Sequence, residues 1–150
     1  MPMKLTNSQF GEFELSDAAV YEFRHGLLGF EELRRFGFLH REEFAPFDWL
    51  VAVDEPEICF PVVSPMLLQS EYAVPMGEVE RRALGSKPED PVVPLVIVTV
   101  GTGTPRLTAN MRGPVMLNPK SHKGMQVVLF ESGYSVRAEI PLIADTQSVR

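Results

Sequence analysis

Short runs of alternating apolar and polar residues recur along the chain, and turn residues separate them. The runs lie at 10–15, 47–53, 58–63, 124–130 and 134–140. In the first, "FGEFEL", Phe13 and Leu15 fall on one face and two glutamates fall on the other. Because side chains alternate between the two faces of an extended strand, this period of two predicts short β-strands.

Two further stretches depart from simple alternation. "VVPLVIVTV" (92–100) is apolar on both faces, which is typical of a strand that is buried on both sides. "LTANMRGPVMLN" (107–118) alternates on either side of Gly113-Pro114, a pair that should bend or break a strand. Together with 125–130, these stretches predict three consecutive antiparallel strands, joined by the turns "GTGTPR" and "NPKSHKG".

Helical signals are few. "GEVERRALG" (77–85) places acidic residues before basic ones and ends on glycine, which predicts two helical turns at most. "GFEELRRFG" (29–37) predicts one turn, because Glu31 and Arg35 have the i,i+4 spacing of a helical ion pair. Neither segment is long enough to be a crossover helix between parallel strands.

These elements and the composition favour one fold class. A chain of 150 residues suits a single domain, here 1–150, and its thirteen prolines and eleven glycines suit many turns and strand edges. About eight short strands at this spacing predict an all-β, mostly antiparallel fold. We expect a small closed or nearly closed β-barrel, or a sandwich, with one or two short helices.

The charge is acidic and unevenly distributed. The net charge is −6, and residues 1–60 carry twelve acidic and five basic side chains, whereas 101–150 carry three acidic and six basic ones. Phosphate contacts dominate nucleic-acid affinity, so direct nucleic-acid binding is not expected. An acidic chain suits a basic protein partner, although the same charges also serve solubility.

The chain carries no sign of export or membrane insertion. Cys59 is the single cysteine, so no internal disulfide can form. The N-terminus has no apolar signal segment, and the longest apolar run (91–100) is too short to span a bilayer as a helix. We therefore expect a cytoplasmic protein without membrane contact.

No catalytic or metal-binding constellation is present in the sequence pattern. His25, His40 and His122 are scattered, and none has a second histidine or cysteine at ligand spacing. Cys59 lies between apolar residues, and nothing near it in sequence would lower its pKa. We expect no catalytic residue, no metal and no cofactor.

Two asparagines flank the predicted bend in 107–118. Asn110 precedes Gly113-Pro114, and Asn118 ends the stretch. Their amides could satisfy backbone groups that the bend removes from the strand ladder, or they could contact a partner. The first interpretation is favoured by the general rule that such backbone groups must be paired.

An ordered set of motifs runs from about Phe10 to Leu142. In order, these are "GEFEL", "VYEFRHGLLGFEELRRFGFL", "PFDWLVAVDEPEICFPVVSP", "VVPLVIVTV", "LTANMRGPVMLNPKSHKGMQVVL" and "YSVRAEIPL". Together they resemble the flagellar assembly factor FliW family. Two departures stand out: Leu28 replaces a frequent proline, and Val51-Ala52 replaces a polar Gln-Ser pair.

The resemblance implies a cytoplasmic bacterial regulator that is not an enzyme. Members of this family bind flagellin before export, and they bind the translational repressor CsrA and relieve its repression, including on flagellin mRNA. Flagellin that accumulates unassembled occupies the factor and frees the repressor. We expect the same two partners here, and a monomer when neither is bound.

The predicted partner-binding residues are motif positions that do not look like core. They are Phe30, Glu31, Asp48, Asn110, Pro114, Asn118 and Gln126. The main alternative is a barrel enzyme or a small-molecule carrier with a polar pocket inside the strands, for which only Asn110, Asn118 and Gln126 are available. A weaker alternative is RNA binding by the more basic C-terminal third, which includes Arg106 and Arg112.

Overall fold

The structure, a computed structural model, describes residues 2–103 and 106–140. Within them the strands are β1 Met3–Asn7, β2 Gly11–Leu15, β3 Val20–Phe23, β4 Arg35–Leu39, β5 Asp48–Ala52, β6 Cys59–Val63, β7 Val93–Val100, β8 Leu107–Ala109, β9 Val115–Asn118, β10 Lys123–Gln126 and β11 Ala138–Glu139. The helix α1 spans Glu78–Ala83, and single 3-10 turns lie at Asp17–Ala19, Glu42–Phe44 and Pro65–Leu67.

Seven of these strands close into a barrel. Strands β3 to β7 form an antiparallel meander, β7 then pairs with β9, and β9 pairs with β10, all antiparallel. The ring is closed by β10 and β3, which run parallel and join Lys123 to Glu22 and Gly124 to Phe23. The predicted all-β, mostly antiparallel closed barrel is confirmed, and the sandwich is not formed.

The barrel interior is filled by apolar side chains. They are Tyr21, Phe23, Leu27, Leu33, Phe36, Leu50, Ala52, Val62, Leu95, Val115 and Leu117. Ile58 and Phe60 pack against this group together with Val62, so the predicted shared face of 58–63 is confirmed. Burial of this apolar surface is the main favourable contribution to folding.

Strand β5 is buried on both faces, which explains why "DWLVA" lacks polar positions after Asp48. Leu50 and Ala52 point into the barrel, whereas Trp49 and Val51 pack outside it against the hairpin of β1 and β2. Phe13 of that hairpin belongs to the same outer cluster, as the alternation in 10–15 predicted. The β1–β2 hairpin therefore covers the outer face of the barrel wall at β4 and β5.

A second core lies on the opposite wall. Its buried members are Val63, Tyr72, Leu84, Val96, Val98, Ala109, Met111, Met116, Val127 and Leu129. The chain over 65–76 and α1 lie over this wall. The short helix predicted at 77–85 is confirmed: Gly77 is its N-cap, Glu80 accepts the Gly77 N–H, and Gly85 follows it with φ +58°.

The stretch 107–118 is one bent strand that pairs with β7 along both halves. Leu95 and Val98 of β7 are three positions apart, but their partners Val115 and Ala109 are six positions apart. Three surplus residues therefore bulge out of the ladder before Val115. The predicted bend is confirmed, and it is a bulge of three residues between β8 and β9.

Two local predictions are wrong. The segment 29–37 contains no helical turn, because Gly29 with φ +86° starts a series of turns, and Arg35 enters β4 and pairs with Asp54 at 2.8 Å. The strand predicted at 134–140 shrinks to Ala138–Glu139. Val136 is exposed because the chain turns there.

The second half of the predicted strand 125–130, residues 127–130, is also not a strand. The strand β10 ends at Gln126, although Met125, Val127 and Leu129 share the second core as the alternation predicts. The closing motif extends to Leu142, which lies outside the described residues. None of the helices in 2–103 and 106–140 has the length and apolar character needed to cross a membrane.

Candidate functional site

The loop 24–34 between β3 and β4 lies across one end of the barrel. Leu27 and Leu33 are buried and plug that end, and the Phe30 N–H donates to the Leu27 carbonyl at 2.7 Å. This tight turn brings the Phe30 carbonyl within 2.5 Å of where a Cβ on Gly26 would lie, so only glycine fits there. The loop consequently directs Leu28 and Phe30 outward, with exposures of 61% and 36%.

Phe30 is held in place although it is partly exposed. Its ring packs edge-on against Phe60, with centroids 5.1 Å apart, and Phe60 in turn packs on the barrel interior. Beside it, the exposed Glu31 carboxylate accepts the Gly29 N–H at 3.1 Å. The loop therefore presents a fixed apolar surface next to a negative charge.

The bulge of the bent strand is organised by Asn110. Its Oδ1 accepts hydrogen bonds from the Arg112 N–H at 3.1 Å and the Gly113 N–H at 3.0 Å. These are backbone donors that the bulge removes from the ladder. The predicted structural role of this asparagine is therefore confirmed, and its side chain remains half-buried.

Gln126 ties the loop to the bulge. Its Oε1 accepts the Leu28 N–H at 2.9 Å, and its Nε2 donates to the Gly113 carbonyl, also at 2.9 Å. One half-buried amide thus joins two segments that are far apart in sequence. We call the surface formed by Leu28, Phe30, Glu31, Asn110 and Gln126 the end surface.

Five of the seven predicted binding residues converge at this end of the barrel. They are Phe30, Glu31, Asn110, Pro114 and Gln126. Pro114 is buried in the bulge, where its carbonyl accepts the Val127 N–H at 2.9 Å. It shapes the end surface without lying on it.

Asn118 lies at the opposite end of the barrel, in the turn between β9 and β10. It is fully buried; its Nδ2 donates to the Leu84 carbonyl at 3.0 Å and its Oδ1 accepts the Lys120 N–H at 2.9 Å. With no exposed surface, this side chain holds α1 against the barrel turn. Its predicted contact with a partner has no accessible surface to use in this state.

Asp48 also lies at that opposite end, where β5 begins. Its carboxylate is 2.6 Å from His40 Nδ1, and His40 Nε2 is 2.9 Å from Glu42. These hydrogen bonds, to Glu42 and then to Asp48, raise the pKa of the exposed His40. The structure thus places Asp48 in an acidic cluster around a histidine, apart from the end surface.

Two features of these sites were missed by sequence reasoning. Leu28 was noted only as a departure from a family pattern, and no local signal separates it from Leu27, which lies between the same two glycines and is buried. The link between His40 and Asp48 had no signal, because it depends on the pairing of β4 with β5.

The polar residues required by the alternative of an internal pocket do not converge inside the barrel. Asn110 and Gln126 bond to the loop and bulge at one end, and Asn118 bonds to Leu84 at the other. The inward-facing side chains are apolar, and Phe23 and Phe36 are fully buried among them. The arrangement of the described residues thus favours a packed core over a ligand pocket.

The departure at Val51-Ala52 is also explained by burial. Both side chains are fully buried, Val51 under the hairpin and Ala52 inside the barrel. In this chain the pair contributes packing and offers no surface to a partner.

The model of the family described as FliW protein matches residues 4–140. The chain belongs to the FliW family. The flagellar assembly factor FliW of Geobacter sulfurreducens is 36% identical over 135 residues, covering 90% of this chain and 84% of the relative. The FliW of Thermotoga sp. strain RQ2 is 33% identical over 133 residues, with 87% and 88% covered.

A solved FliW structure supports the same assignment. A crystal structure of the flagellar assembly factor FliW superposes with a TM-score of 0.83 at 26% identity, covering 93% of this chain and 98% of that chain. The sequence resemblance is therefore confirmed at the level of family and fold. A FliW barrel with a plugged end and a bulged strand is the frame on which the end surface is built.

Proposed function

We propose that this chain is a cytoplasmic regulator of flagellar assembly that acts by binding and not by catalysis. It binds flagellin before export, and it binds the translational repressor CsrA and relieves repression of flagellin mRNA. When neither partner is present it is a monomer. Membership in the FliW family over residues 4–140 is the observation that carries this proposal.

The end surface is the proposed main contact for one partner. Protein interfaces commonly combine an apolar centre with a polar rim, and aromatic anchors contribute most of the binding energy. Phe30 supplies such an anchor, already held by Phe60, and Glu31 supplies a rim charge for a basic partner. Because Gln126 fixes the loop before binding, little conformational freedom is lost on association.

Asp48 is proposed as a contact for the other partner. Four residue steps along β5, about 13 Å of extended strand, separate it from the end where β5 approaches loop 24–34. Asn118 and Pro114 are proposed to act indirectly, by holding the turn and the bulge. Because the two surfaces are separate, each can be changed by substitution without altering the other.

The regulation follows from mass action. A partner that binds the free factor lowers the concentration left for the other, provided that the two bound states exclude or weaken each other. Rising flagellin then releases CsrA. The coupling between the two partners is a binding free energy. Its sign and size are therefore the same whichever partner is added first.

Charge reversal tests the two surfaces. Glu31→Lys and Asp48→Lys are measured by calorimetric titration against purified flagellin and purified CsrA, with Glu12→Lys on the outer face of β2 as the matched control. We expect each site variant to weaken one partner by about tenfold or more, equivalent to about 1.4 kcal/mol. The control variant should bind both partners as the unmodified chain does.

Two results would contradict the proposal. If the unmodified chain bound neither flagellin nor CsrA at micromolar concentration, the function itself would be wrong. If it bound both but Glu31→Lys and Asp48→Lys behaved like Glu12→Lys, the function would stand and the assigned surfaces would be wrong.

A further inference from the structure

The chain continues in an extended form beyond β10, and one of its edges is open. The Val127 N–H donates to the Pro114 carbonyl at 2.9 Å, and the Leu129 N–H donates to the Arg112 carbonyl at 2.8 Å. Backbone groups of successive residues in an extended chain point to opposite sides. The N–H and C=O groups of Val128 thus point away from the bulge, and the described residues supply no hydrogen-bond partner for them, before the chain turns at Phe130.

The edge is open because β3 ends too early to cover it. The parallel pairing of β10 with β3 reaches only Gly124 opposite Phe23, and the chain then departs into loop 24–34. Residues 127–129 therefore have a strand-like neighbour on one side only. An unpaired edge of this kind is a template for an added strand.

A groove runs along this open edge. Its near wall is Val127–Ser132, its far wall contains Ala73, Pro75 and Glu80, and its volume is about 520 Å³. Tyr134 also lines it and packs against Tyr72 with ring centroids 4.6 Å apart. Val127, Leu129 and Tyr134 thus join the groove to the second core.

Phe130 stands at the groove with its ring almost fully in solvent. Its exposure of 82% is the highest of the large apolar side chains in the described residues. A single exposed apolar residue is ordinary, but an aromatic ring beside unpaired backbone groups is a suitable anchor for a docked chain.

The charge of the groove selects the occupant. Glu80 and Glu131 are the charged side chains that line it in the described part of the chain, and both are acidic. One oxygen of Glu80 accepts the Gly77 N–H, and no cation is paired with Glu131 among the described residues. An occupant that brings lysine or arginine side chains gains favourable charge on both walls.

We propose that this groove is a second binding site, which takes an extended basic segment of a partner protein as an added β-strand along 127–129. Main-chain hydrogen bonds to Val128 set its register, and other residues of the segment contact the Phe130 ring and the two glutamates. The site is separate from the end surface and does not depend on the function proposed there.

The test uses a synthetic strand-forming peptide on the full chain. The peptide Thr-Lys-Val-Lys-Val-Lys-Thr, blocked at both ends, is titrated into ¹⁵N-labelled protein, and its counterpart with glutamate in place of each lysine is titrated in parallel. We expect saturable shifts of the Val128 and Phe130 amides with the basic peptide only. Phe130→Ala and Glu131→Lys should each weaken binding by about tenfold.

A matched control and opposing outcomes keep the test decisive. Val136→Ala removes another exposed apolar side chain outside the groove and should leave binding unchanged. The proposal is overturned if no amide of 127–130 shifts at millimolar peptide, or if the acidic peptide binds equally well. It is also overturned if binding requires removal of 141–150, or if Phe130→Ala instead abolishes a dimer, because the occupant is then this chain itself.

Discussion

Asn110 and Asn118 lie at opposite ends of the barrel and begin the same local motif. In each, the side-chain oxygen accepts the backbone N–H groups two and three residues ahead. They differ in the nitrogen: Asn118 donates to the buried Leu84 carbonyl, whereas Asn110 has no acceptor for its nitrogen in the described parts of the chain. In both residues the side-chain oxygen therefore stabilises the turn. The side-chain nitrogen of Asn118 also bonds to another element, the C-terminal end of α1.

Asn7 supports this distinction. Its oxygen accepts the N–H groups of Gln9 and Phe10, and its nitrogen donates to the Pro56 carbonyl in the turn between β5 and β6. It is almost fully buried, like Asn118. Burial thus accompanies a second hydrogen bond, and the half-buried Asn110 is the asparagine whose side-chain nitrogen has no acceptor among the described residues.

Replacement of Asn118 should have the largest effect on stability. Asn118→Ala removes bonds to Leu84 and Lys120 from a site without solvent, so we expect a loss of about 2–3 kcal/mol in the free energy of unfolding. Urea denaturation with an unchanged m-value measures this loss. A loss below about 0.5 kcal/mol would mean that water or Ser121 replaces the amide. The proposed difference between Asn118 and Asn110 would then be wrong.

Replacement of Asn110 should lower the free energy of unfolding less than replacement of Asn118 does, but it should weaken partner binding more. Water can reach the half-buried N–H groups that Asn110→Ala leaves, so we expect a loss of about 1 kcal/mol. Under the proposed function, this variant also weakens the partner bound at the end surface. Equal destabilisation by Asn110→Ala and Asn118→Ala, in parallel urea titrations, would remove the distinction between the two ends.

Replacement of Gly113 should loosen one end without disturbing the other. A Cβ there would lie 2.9 Å from Asn110 Nδ2 and 3.1 Å from Gln126 Nε2, which are movable side-chain ends. We expect Gly113→Ala to cost about 0.5–1 kcal/mol. Hydrogen exchange should quicken at the Leu28 amide and stay constant at the Lys120 amide; the reverse pattern would contradict the role of Gln126.

The smallest expected effect concerns His40, at the end that contains Asn118. Hydrogen bonds to Glu42 and then to Asp48 raise its folded pKa above the ordinary value of a histidine side chain. Its stabilising contribution is therefore complete below the unfolded pKa and is lost as the pH rises through the folded pKa. An NMR titration should show the raised pKa and its decrease in Glu42→Gln and Asp48→Asn; an unshifted pKa in the unmodified chain would refute the pairing.

The fold was largely readable because alternation and turn chemistry are local. Phe13 and Leu15 are buried as their period predicts, and Gly113-Pro114 marks the bulge. The spacing of Glu31 and Arg35 wrongly predicted a helical turn. An exposed ion pair contributes little stability, and here the turn at Gly29 and the pairing of β4 with β3 determine the backbone. Sequence pattern could not show that a hairpin covers β5, since that contact is tertiary.

The site was only partly readable for the same reason. Phe30 and Glu31 could be chosen as motif residues that do not look like core, and they lie on the surface. The role of Gln126 depends on a hydrogen bond across 98 positions of the chain. Asn118 resembled Asn110 in sequence, and only the packing of α1 against its turn separates them.

The parallel closure between β3 and β10 has a consequence for the order of events during synthesis. The meander β3 to β7 can pair as it leaves the ribosome, because each strand meets the one before it. Val20–Phe23, however, waits for Lys123–Gln126, so the open edge of the first barrel strand persists until most of the chain has been translated. Until then the nascent chain exposes the apolar interior that Leu27 and Leu33 later seal, and this interval is when the molecule is most vulnerable to aggregation.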